Sequence, residues 1–169
     1  MKSVVVLVGA SGSGKTTVAE VLAARPPWAG NTHYFDTIGV PSAAEMEERH
    51  GGGEAWQLWA TQQWMDRLAR SDSALQLLEG QTRPSFVMTA AEAHPELAVQ
   101  IVLLDCTPEV RQHRLAELRQ ASELANPQMD CWAAYLAGQA HALGLSVIDT
   151  GDLEPGAVAD RVEAATGLR

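Results

Sequence analysis

Gly9-Ala10-Ser11-Gly12-Ser13-Gly14-Lys15-Thr16 is the stretch that decides how this chain is read. It directly follows the apolar, β-branched run Val4-Val5-Val6-Leu7-Val8. It leads directly into Thr17-Val18-Ala19-Glu20-Val21-Leu22-Ala23-Ala24, a run compatible with helix. Strand, glycine-rich loop and helix, in that order, are the setting in which G-x-x-x-x-G-K-[ST] cradles phosphates. Glycines at Gly9, Gly12 and Gly14 let successive backbone N–H groups turn toward an anion. The first turn of the new helix adds its partial positive charge. At this spacing Lys15 reaches the β- and γ-phosphates, and the Thr16 hydroxyl is placed to ligate Mg²⁺. Ser11, Ser13 and Thr17 complete the set expected to touch the nucleotide. The motif implies binding of a nucleoside triphosphate, with ATP and Mg²⁺ as the expected cofactors.

The rest of the composition narrows the setting. The 169 residues fit one domain spanning 1–169, long enough to bury about two-thirds of the unfolded surface. No segment reaches the ~18 uninterrupted apolar residues of a membrane span, and the Val4–Val8 run is too short for a signal peptide. The expected location is the cytoplasm, which Cys106 and Cys131, far apart and outside any metal-ligand spacing, suit as reduced thiols. A net charge of −9 argues against sequence-independent nucleic-acid binding, which needs Lys and Arg to neutralise phosphates. Lysine occurs only at Lys2 and Lys15, so the loop lysine is no by-product of lysine abundance. The histidines (His33, His50, His94, His113 and His141) are scattered, with no i,i+4 pair to build a metal site. Monomer and homodimer both remain open.

Short apolar runs alternate with helical stretches, the pattern of an α/β domain with a mostly parallel sheet. Strands are expected over 3–8, 33–36, 74–79, 100–105 and 146–149. Helices are expected over 14–24, 42–50, 53–71, 91–97, 108–124, 129–143 and 155–165. Thr107 before Pro108-Glu109 reads as an N-cap followed by proline at the first helical position. Ser42 before Ala43-Ala44-Glu45 fits a capping box, and Gly144 fits a C-terminal stop. Gly51-Gly52-Gly53 is either a hinge or a plain loop.

In open parallel sheets ligands gather at the carboxyl ends of the strands. Asp36, ending His33-Tyr34-Phe35-Asp36, would lie near the γ-phosphate and could accept the proton of an acceptor hydroxyl; the alternative is a turn or N-cap aspartate. Glu79, ending Leu75-Gln76-Leu77-Leu78-Glu79, could hold a Mg²⁺-bound water, and Arg83 a few residues on could grip an anionic group. Arg83 could equally pair at the surface. Asp105 ends the more hydrophobic strand, but Cys106-Thr107-Pro108 starts a helix at once, so capping competes with a metal role. Arg111, Arg114 and Arg119 follow on that helix, with Arg114 and then Arg119 the candidates for stabilising charge in phosphoryl transfer. Trp56, Trp59 and Trp64 share one expected helix. They read as core, or, with Trp59 as the contact, as a stacking wall for an acceptor.

Taken together, the loop, Asp36, Glu79-Gly80 and Leu104-Asp105-Cys106-Thr107-Pro108-Glu109-Val110 leading to Arg114-Leu115 resemble the P-loop small-molecule kinases of the nucleoside-monophosphate-kinase group. That group includes adenylate, shikimate and gluconate kinases and chloramphenicol phosphotransferase. The resemblance implies a three-layer P-loop NTPase fold: a five-stranded parallel sheet, helices on both faces and a short lid. It implies transfer of the ATP γ-phosphoryl group to a hydroxyl or phosphate of a small molecule. Val147-Ile148-Asp149-Thr150 resembles the group's adenine-proximal strand end, which implies nucleotide contacts at and after Asp149. The chain departs from the group where a lid usually carries arginines about four apart: Leu118 holds that offset and Arg119 is one further on. Neither the paired aspartates of shikimate kinases nor an adenylate-kinase AMP site is visible.

A GTPase would carry a guanine-specifying Asn-Lys-x-Asp, and none occurs. A regulatory ATPase without an acceptor remains the alternative, and would use Asp105 for its metal. A polynucleotide kinase is disfavoured by the acidity. Replacing Lys15 by Ala is expected to weaken triphosphate binding or turnover strongly; wild-type activity in that variant would refute the reading of the loop.

Overall fold

The computed structural model describes residues 1–118 and 120–167. Five strands alternate with seven α-helices: β1 (Lys2–Val8), α1 (Lys15–Ala23), β2 (Thr32–Tyr34), α2 (Ala43–His50), α3 (Gly53–Arg70), β3 (Leu75–Glu79), α4 (Pro84–Glu92), β4 (Leu97–Asp105), α5 (Pro108–His113), α6 (Pro127–Leu143), β5 (Ser146–Asp149) and α7 (Pro155–Thr166). The sheet is parallel throughout, in the order β2-β3-β1-β4-β5. β1 therefore sits at the centre, and the loop it feeds emerges where the winding of the sheet reverses, the usual ligand crevice of such sheets.

The valine run of β1 is apolar on consecutive positions because both faces of the sheet are covered. Val4, Val6 and Val8 pack with Trp64, Met65 and Leu68 of α3, Val87 and Ala90 of α4, and Leu136 and Ala140 of α6. Val5 and Leu7 face the other way, onto Val18, Ala19 and Leu22 of α1 and Val158 and Val162 of α7. Trp28 is fully buried between α1 and β2. Its indole N–H donates to Glu163 of α7 at 2.8 Å, so the polar edge of the ring is satisfied inside the core. No helix is long and apolar enough to cross a membrane among the described residues.

The caps behave as the sequence suggests. Ser42 and Glu45 form a reciprocal capping box. Thr107 accepts from the Val110 N–H, and Gly144 ends α6 in the left-handed region at φ 64. Asn126, not anticipated, caps α6 two residues earlier than expected by accepting from Met129 N.

Three expectations fail. The helix expected at 91–97 is α4, Pro84–Glu92, because Pro84 starts it at the first position and His94-Pro95 precludes continuation. Residues 97–99 instead extend β4, where Leu97, Ala98 and Val99 pair with Lys2, Ser3 and Val4. The helix expected over 108–124 is interrupted: α5 ends at His113, a π-helical turn runs over Arg114–Leu118, and a 3₁₀ turn covers Ser122–Leu124. Arg119 lies outside the described residues. β2 ends at Tyr34, and Asp36 falls in a 3₁₀ turn, Phe35–Ile38, rather than on the strand.

Leu103, 1 % exposed on the interior strand β4, reports on this core. Leu103→Ala is expected to lower unfolding free energy by about 2–5 kcal/mol in urea titration. A loss much below 1 kcal/mol would contradict the packing described.

Candidate active site

The phosphate loop starts from a strand with no slack. β1 pairs with β3 so that Leu7 is opposite Glu79, and with β4 so that Val8 is opposite Leu103. Gly9 passes against the Leu104 carbonyl, and Gly12 lies over the buried Arg111. Gly14, at φ 93, forms the left-handed N-cap from which α1 departs, a conformation unfavourable to any side chain.

Lys15, only 6 % exposed, lies back along the loop. Its ammonium donates to the Ala10 carbonyl at 3.1 Å and stands 4.0 Å from Glu79 Oε1. The Thr16 hydroxyl donates to the same carboxylate oxygen at 3.4 Å. Ser13 Oγ is fully buried and has no hydrogen-bond partner, an orphan that a phosphate oxygen would satisfy. Ser11 Oγ accepts from Gln81 Nε2 at 2.5 Å, which ties the loop to the segment after β3.

Two cavities flank the loop. The larger, about 590 Å³, is lined by Gly12, Gly14, Thr17 and Val18, by Arg114, and by the segment from Thr150 to Pro155. Thr150 closes it. Its buried hydroxyl donates to the Ser13 carbonyl at 2.8 Å and accepts from Arg114 Nη1 at 2.9 Å. Arg114 Nη2 donates to the Thr150 carbonyl at 2.6 Å, and Nη1 also reaches the Gly12 carbonyl at 3.4 Å. The π-helical turn that starts at Arg114 thus accompanies an arginine aimed at both loops, in keeping with the tendency of such turns to mark functional positions. Asp149 does not line the cavity; its carboxylate accepts from the Gly151 N–H at 2.8 Å and shapes the turn that does.

The smaller cavity, about 230 Å³, lies on the opposite flank among Ser11, Lys15, Thr16, Tyr34, Asp36, Glu79, Gly80 and Gln81. Gly80 explains how Asp36 gets there. A Cβ at Gly80 would sit 2.2 Å from Phe35 Cβ, so only glycine lets the turn carrying Asp36 rest against the end of β3. Tyr34 shares this wall, and burial, followed by the negative charges of Glu20 and Glu79, pushes its phenol upward, keeping it a neutral hydrogen-bond donor.

The remaining candidates divide. Asp105 accepts from the Cys106 N–H at 2.9 Å and lines neither cavity, whereas Glu79 is at Thr16. Arg111, 2 % exposed, is committed to Asp130 at 2.7 Å and to the Cys106 carbonyl at 3.2 Å, beneath the loop rather than in it. Beside it, burial pushes the Cys106 thiol up, so this neighbour of the loop stays neutral. Trp56 and Trp64 are core, and Trp64 donates to the Phe35 carbonyl at 3.0 Å. Trp59 instead faces outward, 40 % exposed and 5.0 Å from the His50 ring, clear of both cavities flanking the loop. Arg83 lines a third cavity beside α6, paired with Glu54 at 3.0 Å. Gln81 was not anticipated, and Thr150 was covered only by the contacts at and after Asp149 that the resemblance implied; each acts across a long sequence separation.

The donor set suits a nucleoside triphosphate with Mg²⁺. No group of three or more His, Cys, Asp or Glu forms a metal cage among the described residues. Mg²⁺ on phosphates needs only one or two protein oxygens, and Thr16 and Glu79 would fit that need.

No family model matches this chain, and no curated protein matches it. Solved structures do. A tunicamycin resistance protein from Deinococcus radiodurans superposes with a TM-score of 0.69 at 19% identity, covering 100% of this chain and 98% of that one. A sugar kinase from Janibacter sp. HTCC2649 gives 0.67 at 21% identity over 99% and 96%. A shikimate kinase from Acinetobacter baumannii, in complex with shikimate, gives 0.63 at 16% identity over 96% and 91%. The fold is that of the P-loop small-molecule kinases, as the sequence resemblance implied.

Thr150→Val removes the hydroxyl that joins the two loops and leaves the Ser13 carbonyl without it. ADP affinity is expected to fall about five- to tenfold by calorimetric titration. Unchanged affinity would mean that the Thr150 hydroxyl does not hold the site together.

Proposed function

We propose that this chain is an ATP- and Mg²⁺-dependent phosphotransferase of the cytoplasm that moves the γ-phosphoryl group to a hydroxyl or phosphate of a small molecule. The observation that carries this reading is the pair of cavities on opposite flanks of one phosphate loop. A hydrolase needs room for water on the second flank; this one instead presents Asp36, Tyr34 and Gln81 around a pocket large enough for part of an acceptor. The kinase names of solved structures with this fold support the same class. The free thiols of Cys106 and Cys131 suit a reducing compartment.

In this mechanism the base and ribose occupy the larger cavity against the 150–155 segment, with Arg114 and Thr17 at its phosphate end. Loop N–H groups from Gly12 to Thr16, together with Lys15, hold the β- and γ-phosphates. Lys15 then exchanges the Ala10 carbonyl for phosphate oxygens, while Ser13 Oγ gains the partner it lacks. Thr16 and Glu79 would hold Mg²⁺, which would supply positive charge against that developing on the phosphates. Asp36 accepts the proton of the acceptor hydroxyl and orients its oxygen for in-line attack, and Tyr34 and Gln81 donate to the acceptor. Arg114, with Arg119 as a second contributor, screens the charge spread over the transferring group. Phosphoryl transfer asks little covalent chemistry of the protein, so a site of this composition suffices.

Asp36→Asn keeps the shape and removes the base. The expected result is a fall in kcat of about 10²-fold or more with ADP affinity within about twofold of wild type. Equal losses in both would assign Asp36 to holding the 3₁₀ turn rather than to the reaction.

A further inference from the structure

The third cavity, about 470 Å³, is lined by Arg83, Pro127, Gln128, Cys131, Trp132 and Tyr135, where the first turns of α6 meet the N-terminus of α4. Its wall is a set of aromatic faces fixed in place. Trp132 and Tyr135 are stacked, 5.5 Å between centroids and 17° between planes. The Tyr135 hydroxyl accepts from Gln139 Nε2 at 2.6 Å, and Gln139 is itself tied to Ser85 at the start of α4. The Arg83 guanidinium lies 5.1 Å from the Trp132 ring, 5.6 Å from Tyr135 and 5.2 Å from Phe86. Tyr135 is nevertheless 42 % exposed. A large ring pinned by hydrogen bonds and left open to solvent is ordered before anything binds it, which lowers the entropic cost of recognition.

This wall belongs to the acceptor side. Gln81 lines the cavity of Asp36 and Arg83 lines this one, two residues apart and so at most about 7 Å along the chain. Gln57 of α3 binds both, donating to the Gln81 carbonyl at 2.8 Å and accepting from Arg83 Nη1 at 2.5 Å. The charge of Arg83 is already answered by Glu54 at 3.0 Å. The cavity therefore offers ring faces and the flat of a guanidinium, not an unclaimed cation.

We infer that the third cavity is the distal subsite of the phosphoryl acceptor and takes a flat conjugated ring, stacked on Tyr135 and Trp132, while the reacting hydroxyl lies at Asp36. This inference rests on the phosphotransferase reading and narrows its substrate to molecules that carry both a flat conjugated ring and a free hydroxyl.

Matched probes test it on the full chain with Mg-ADP for binding and Mg-ATP for turnover: uridine against D-ribose, and phenyl β-D-glucoside against methyl β-D-glucoside. Saturation-transfer NMR is expected to show ring protons of uridine or the phenyl glucoside in contact with protein, and the ring-free partner binding more weakly. Tyr135→Ala should weaken the ring-bearing probe about fivefold or more. Tyr135→Phe, which keeps the ring, should stay within about twofold. Equal binding by ring-bearing and ring-free partners would overturn the subsite, as would a Tyr135→Ala variant, folded by circular dichroism, that binds them as wild type does. Absence of binding by every probe would also count against it. Ring contact without acceptor-stimulated ADP release would keep a ring-binding cavity but overturn its assignment to a phosphoryl acceptor. Equal stimulation by uridine and ribose would keep the phosphotransferase reading and overturn the subsite.

Discussion

A buried ammonium is the constraint around which this molecule is arranged. Lys15 is almost fully enclosed at the first turn of α1, and a charge so placed must be compensated within the protein. Compensation comes from the Ala10 carbonyl and from Glu79, which reaches the loop only because β3 lies beside β1 with Leu7 opposite Glu79. The sheet order is thus tied to the electrostatics of the loop. β1 must be central, β3 must be its neighbour, and both faces must be covered for the valine run to stay dry. The same carboxylate takes the Thr16 hydroxyl, so one residue at a strand end serves the lysine, the threonine and, in the proposed reaction, the metal.

Around that centre the molecule builds unlike flanks. On the flank of the larger cavity, Thr150 and Arg114 stitch the end of β5 to the carbonyls of Gly12 and Ser13, so the loop cannot open without moving that wall. On the other side the contacts are side-chain amides. Gln81 reaches Ser11, and Gln57 reaches Gln81 and Arg83. In the proposed reaction these unlike flanks suit one constant ligand, the nucleotide, and one that varies between related proteins, the acceptor.

What the sequence disclosed was what is local. The loop, the Ser42 capping box and the Thr107 cap are each specified within a few residues and appear where the pattern placed them, whereas β2 stops two residues short of Asp36. The π-helical break at Arg114 left no periodic trace, because its hydrogen-bond shift changes geometry and not composition. α4 was misplaced because an alanine-rich run outweighed Pro84 and Pro95, the two prolines that bound it. The tryptophans separate by rotation. Trp56 and Trp64 are eight apart and lie about 80° from each other, whereas Trp59 is turned about 140° from Trp64, so only it reaches solvent. The hydrogen bonds of Thr150 and Gln81 were illegible for a different reason: their partners are 137 and 70 residues away, fixed by the sheet alone.

The most direct test follows the phosphorus itself. ³¹P NMR of the wild-type chain with Mg-ATP, in the presence and absence of a panel of nucleosides, sugars, sugar acids and hydroxylated antibiotics, separates transfer from hydrolysis. The account requires a new phosphoester resonance that grows with ADP only when a suitable acceptor is present. Inorganic phosphate released at the same rate with every acceptor and with none would contradict it, and would make the chain an ATPase.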